Sequence, residues 1–404
     1  MTTSQMSTKG VSLLRVPGRW CVHAYYTLCP WAPDGSGRLL LAGADLSRDR
    51  AEVLVLDAAG EVVQRCGDTA PHGGFWHTGW WQTWDPDSRG LRYQSGTLAE
   101  PQICVHDLDT GAGRSMAGDM EGAPPAGGPV ISGAMGMLYA AGYGDGSMHP
   151  ELSPVPFAAR DQHGLYRIDT ASGARSVVLS TEACLQAHPD RDRLLAFDRE
   201  QHARTGDGLT LMCYCVRWSP TGNRLLFYFG NHCVDKARGE PRLAYIMTAD
   251  PELRDVRMAL DLSCERRGVH WSWCPDDERL IGYGPQPSRS GMCLATVRHD
   301  GSDYRHISDH ASGGHPSMSP TDDTLIATDE SRCPNGRVLL LDARTGAERH
   351  EWVLPRVHGD TEPKGRNPYR VCHHPVFNPA GDRLLVNTIP EANGGEAQCA
   401  LLRW

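Results

Sequence analysis

The sequence predicts an all-β chain closed into one seven-bladed β-propeller. Three observations carry that expectation: a turn-rich composition over 404 residues, a recurring strand–turn–strand unit, and a blade-length spacing between its copies. Gly 44 and Pro 28 together make about 18% of the chain, which is turn-rich but far from a disordered or collagen-like composition. Hydrophobic residues at 40% suffice for a large core, and no stretch approaches the roughly 20 apolar residues of a membrane span.

The unit is a short apolar or aromatic run, then Pro-Asp-Gly or a near variant, then an apolar strand. Its first copy is CPWAPDGSGRLLL at residues 29–41 and its second TWDPDSRGLRY at 83–93. RWSPTGNRLLF at 217–227, SWCPDDERLI at 272–281, SMSPTDDTLI at 317–326 and VFNPAGDRLLV at 376–386 follow. A degenerate copy, PVISGAMGMLY at 129–139, is expected to fill the gap between the second and third of these. Each copy reads as strand, tight turn, strand. A third strand and a further turn come after several: Val53–Asp57 before Gly60, Ile103–Asp107 before Gly111, Leu165–Asp169 before Gly173 and Leu339–Asp342 before Gly346.

The turn prolines of the clear copies are Pro33, Pro86, Pro220, Pro275, Pro320 and Pro379, and outside the one gap they lie 45 to 59 residues apart. That is the length of a four-stranded blade. Pro189 lies only 31 residues before Pro220, too close for a blade, so residues 181–211 read as a partly helical insertion. Residues 142–163 form a second insertion, within blade three. The whole of 1–404 is thus expected to be a single domain, with a segment around Val11–Val16 completing the last blade and removing its exposed edge.

Blades are structurally equivalent, so residues at one offset from the turn proline should ring the central axis. Five residues before that proline stand Leu28, Trp81, Cys215, His270, His315 and His374. Three successive blades thus put histidine at one level of their innermost strands. Cys372, two before His374, should share its strand face, while His373 points the other way. Clustered imidazoles can hold a divalent transition metal, and one of them can act as a general base because its ordinary pKa lies near neutrality. A hydrogen-bonded structural ring that seals the channel is the competing reading.

Net charge −9 argues against nucleic-acid and anionic-membrane partners. The N-terminus lacks the charged start and apolar run of a secretory signal. The 14 cysteines are scattered, and the close pair Cys213 and Cys215 has no second pair at zinc-site spacing, so reduced thiols in a cytoplasmic protein are expected. The sequence carries no Gly-rich phosphate loop and no G-x-S-x-G elbow. Weaker candidates are His77, in the aromatic segment HGGFWHTGWW at 72–81, and Tyr143 and Arg160, which could meet an acidic substrate from the blade-three insertion.

Several segments resemble the seven-bladed propellers of the oligogalacturonate lyase type: GVHWSWCPDD at 268–277, GGHPSMSP at 313–320 with ATDE at 327–330, and RVCHHPVF at 370–377. HTGWWQ at 77–82 and RDQHGLYRID at 160–169 add to the likeness, which spans most of residues 70–390. The resemblance implies that His270 is the base and that an arginine of the preceding blade, Arg242 or Arg217, assists it. It also implies that His315 and His374 bind a manganese-like ion holding a uronate carboxylate. Where the family has a further His and a Gln as ligands, this sequence has Cys372 and Tyr369, with His373 alongside.

The expected chemistry is β-elimination on an acidic, uronate-containing oligosaccharide. The C5 proton is weakly acidic, and neutralising the carboxylate stabilises the charge that develops when the base removes it. Two other classes stay open: a non-catalytic platform binding glycan or protein, and a lyase or hydrolase on a rhamnosyl-glucuronate type linkage acting through His77, Tyr143 and Arg160.

Overall fold

Local turn chemistry builds the repeating unit. In the first blade the Gly35 amide closes onto the Ala32 carbonyl at 3.4 Å with Gly35 at φ +72°, the left-handed residue that a type I turn needs before the second strand departs. The same closure recurs from Ser88 to Asp85, Gly222 to Ser219, Asp277 to Cys274 and Gly381 to Asn378. Between the third and fourth strands an Asp begins the turn: its carbonyl accepts the amide of Gly60, Gly111, Gly173 or Gly346. Its carboxylate takes the amides in between, as Asp107 does for Asp109 and Thr110. Both turns are fixed by residues within five positions of each other.

The structure, a computed structural model, describes residues 10–71, 75–97, 100–133, 155–231, 238–287, 291–331, 335–355, 371–390 and 396–404. It is a seven-bladed propeller. Six sheets have four strands, five of them in simple meander order, and the third blade has three among the described residues, all neighbours antiparallel. The last blade is completed as expected: Val11–Leu14 pairs with the C-terminal strand Gln398–Leu402, Val11 opposite Leu402 and Leu14 opposite Cys399. Pairing of the two chain ends covers the outer edge of the C-terminal strand.

Blade three departs from the sequence reading. Its turn is Pro124–Gly127, closed by the Gly127 amide on the Pro124 carbonyl at 2.9 Å, so the equivalent of the other turn prolines is Pro125. Strand Val130–Gly133 is the second position of the blade, paired with Gly164–Ile168, and Asp119–Ala123 runs along the channel without a ladder of its own. The lead-in is Glu-Gly-Ala, with no aromatic before the proline. Most of the insertion at 142–163 lies outside the described residues. Residues 181–211 contain helices Thr181–Ala187 and Arg191–Thr205, the first capped by the Ser180 hydroxyl on the Ala183 amide at 3.0 Å.

The core is the stack of blade-to-blade contacts. Leu225, Phe227, Phe229, Tyr245 and Met247 fill one such layer, and the helical insertion seals it with Cys184, Leu185 and Leu194. Leu225, Phe227 and Phe229, like Tyr245 and Met247, are two apart along their strands and so share one sheet face.

Candidate metal and catalytic centre

With Pro125 placed, the ring five residues before the turn proline is Leu28, Trp81, Met120, Cys215, His270, His315 and His374. Four of these seven are left-handed: Trp81 at φ +54°, Cys215 at +55°, His270 at +57° and His374 at +47°. The strand ladder breaks at the same places, between Tyr214 and Arg217 and between Val269 and Ser272. At Cys215 and His270 a bulge therefore re-aims the side chain at this level of the blade.

His315, His374, Cys372 and His77 converge. One ligand atom of each lies within 4.8 Å of all the others, and all four residues are buried. His77 comes from the short helix Phe75–Thr78 ahead of blade two, and the other three from the innermost segments of blades six and seven. The Nε2 atoms of His315 and His374 are 3.2 Å apart. His315 donates Nδ1–H to the Asp329 carboxylate, 2.9 Å to Oδ1, and its own amide reaches the same oxygen at 2.7 Å. Burial alone would raise the Asp329 carboxyl, but the His315 ring and these hydrogen bonds hold it below the usual carboxylate range. Histidine backed by a carboxylate is the arrangement of a metal ligand with a fixed tautomer. Opposite ligands on one ion at about 2.0–2.3 Å stand at most about 4.6 Å apart; the four donor atoms, within 4.8 Å of one another, need to close by only a few tenths of an ångström to share a divalent cation.

His270 flanks this cluster, its ring 4.2 Å from that of His315. Its Nδ1 faces the carbonyls of Gly313 and Gly314 at 2.9 and 2.8 Å, so the proton sits on Nδ1 and Nε2 keeps its lone pair. Burial, then the His315 and Arg217 charges, push its pKa well below the ordinary value, so the ring is neutral near pH 7. Burial and the neighbouring rings do the same to His374.

Arg217 is the arginine beside His270. Its Nη1 bonds the Trp271 carbonyl and, at 3.2 Å, the Tyr26 hydroxyl, which in turn donates to the His270 carbonyl at 2.6 Å. The guanidinium lies 5.3 to 5.6 Å from the ring centres of Tyr25, Tyr26 and Tyr228. Arg242 is elsewhere, bound to the backbone carbonyls of Leu262 and Arg266.

The remaining candidates separate from the centre. His373 turns outward, with Nδ1 on the Asn387 carbonyl at 2.7 Å and its ring against Gly336 of blade six. The alternation of the strand explains why it cannot join His374. Arg160 pairs with Asp198 of the helical insertion. Tyr143 and Tyr369 lie outside the described residues. Sequence reasoning missed four residues: Tyr25, whose ring touches those of His77, His315 and His374; Tyr26; His23, buried 6.4 Å from His374; and Asp329. For Asp329 a signal existed, the ATDE segment one strand after His315. Tyr25 and Tyr26 sit at no repeated offset.

The same architecture occurs in solved structures. Oligogalacturonate lyase from Vibrio parahaemolyticus superposes with a TM-score of 0.65 at 12% identity, covering 97% of this chain and 93% of that one. An oligogalacturonate lyase in complex with manganese gives 0.65 at 15% identity, over 100% and 95%. The fold is that of these lyases. Hydrazine synthase of Kuenenia stuttgartiensis, at TM-score 0.50 and 14% identity over 96% of both chains, shares the propeller as well. No family model matches the chain, and no curated protein matches it. Among the described residues no helix is long and apolar enough to cross a membrane.

Proposed function

We propose that this protein is a carbon–oxygen lyase that cleaves a uronate-containing oligosaccharide by β-elimination. The observation that carries the reading is the fixed tautomer of His270: an unprotonated Nε2 next to a buried cluster of metal-ligand type. The likeness in fold to oligogalacturonate lyases supports it.

In this reading His77, His315, His374 and Cys372 hold a divalent cation, which when bound neutralises the uronate carboxylate. The manganese of the similar lyase is one candidate; a thiol among three imidazoles favours a softer ion such as zinc. His270 Nε2 takes the C5 proton, the electron pair of that C–H bond forms the C4–C5 double bond, and the C4–O bond breaks with its pair to the leaving oxygen, which is protonated by water. Arg217 offsets the charge that develops on the carboxylate side. Asp329 keeps His315 in the correct tautomer.

The test is a screen of acidic oligosaccharides with protein loaded separately with zinc and manganese. Products with the ultraviolet absorbance of an unsaturated uronate and no added water in their mass are expected. Products heavier by one water would overturn elimination in favour of hydrolysis, and no turnover of any uronate substrate by either loaded form would overturn the enzyme reading.

A further inference from the structure

The turn face of the propeller opens into a cavity of about 470 Å³ that none of the metal-cluster residues lines. Trp31, Trp84, Trp218 and Trp273 wall it, and Glu121 and Arg217 face into it. Glu121 is only 3% exposed, and both its carboxyl oxygens are buried without a hydrogen bond. The backbone amides of Cys215 and Val216 face that carboxyl without closing onto it. The indole Nε1 of Trp218 is likewise buried and unbonded. A carboxyl and an indole N–H left bare in one buried place cost several kcal/mol unless something satisfies them (about 1–3 each).

We propose that this cavity is a binding site for an uncharged pyranose ring. Burial, and the neighbouring Asp119, hold the Glu121 carboxyl well above the usual carboxylate range, so it is an uncharged donor and acceptor. Arg217 repels a cation, and its Nη1 is already bonded to the Trp271 carbonyl and the Tyr26 hydroxyl. A neutral ligand that both donates and accepts satisfies the carboxyl and the Trp218 N–H together, which is what ring hydroxyls do. The C–H faces of a sugar ring pack on indoles, and Trp31 and Trp218 are the half-exposed pair that offer them. A cavity of this size matches small-ligand sites in general. The proposal does not rest on the elimination reading.

The test is titration of the full chain with the methyl glycosides of D-glucose, D-galactose and D-mannose, followed by tryptophan fluorescence and saturation-transfer NMR. Tetramethylammonium chloride and sodium D-galacturonate are titrated in parallel. At least one neutral glycoside is expected to saturate at millimolar concentration. Glu121→Leu and Trp218→Phe should each weaken it at least tenfold, and His315→Ala should leave it unchanged. Each variant's fold is checked by circular dichroism, and either one that folds suffices. Binding of the ammonium or the uronate alone, or of nothing, would overturn the proposal. So would neutral-sugar binding that survives both cavity substitutions or disappears in His315→Ala.

Discussion

His315 and His374 face each other through Nε2 atoms 3.2 Å apart, across the boundary between blades six and seven. Asp329 already holds the proton of His315 on Nδ1. The His315 Nε2 therefore presents a lone pair to the centre, and in the absence of a cation His374 must supply the hydrogen between them. The other nitrogen of His374, Nδ1, is buried without a partner. The cluster's readiness for a cation thus depends on a carboxylate that touches no cation itself.

Asp329→Asn should lower zinc or manganese affinity by about 10- to 100-fold, the usual loss when a ligand's carboxylate partner is removed. Competition with a chromogenic chelator measures it. Affinity equal to the parent would remove the Asp329–His315 pair from the metal site.

His270→Asn should lose on the order of 10²–10⁴-fold in turnover of the uronate substrate with little change in melting temperature. Asparagine is the informative replacement because residue 270 is left-handed, a conformation that alanine resists and asparagine accepts. Turnover near the parent value would exclude His270 as base, and a fall in melting temperature without loss of turnover would make it structural.

Burial raises the Asp119 carboxyl from 3.8 to about 7. The folded chain then keeps a proton that the unfolded chain gives up. The resulting stability is complete below about pH 4 and disappears as the pH climbs through about 7, a change on the order of 4 kcal/mol. Asp119→Asn cannot lose that proton. The drop in stability between pH 5 and pH 8, followed by urea unfolding, should shrink in the variant by roughly 3 kcal/mol. An identical drop in both proteins would assign the pH dependence to other groups.

Deleting residues 1–15 removes the strand that completes blade seven and exposes the edge of Gln398–Leu402. A lower melting temperature by 10 °C or more, or self-association, is expected in thermal scans and light scattering. A monomer of parental stability would show that closure contributes little.

The propeller was readable because its turns are local: proline, Asp and glycine within five residues dictate the hairpin whatever lies around them. The histidine ring was readable because equivalent blades turn a sequence offset into a position around an axis. Blade three hid its turn because Pro124 and Pro125 follow glycine and alanine, so the aromatic marker was gone. Spacing could not choose between Arg217 and Arg242, because the bulge at Cys215 resets the alternation of that strand. Tyr25, Tyr26 and Asp119 reach their places through loops whose paths no repeat specifies, so their roles emerge only once the blades are assembled.

Arg217 stands between the histidine cluster and the tryptophan-walled cavity. Toward one side it is linked to His270 through Tyr26 and Trp271, and toward the other it lines the tryptophan-walled cavity with Glu121. Its guanidinium carries one fixed positive charge, in surroundings too dry to screen it as bulk water would. One guanidinium therefore sets the local charge both behind the His270 backbone and along the wall of the tryptophan-lined cavity.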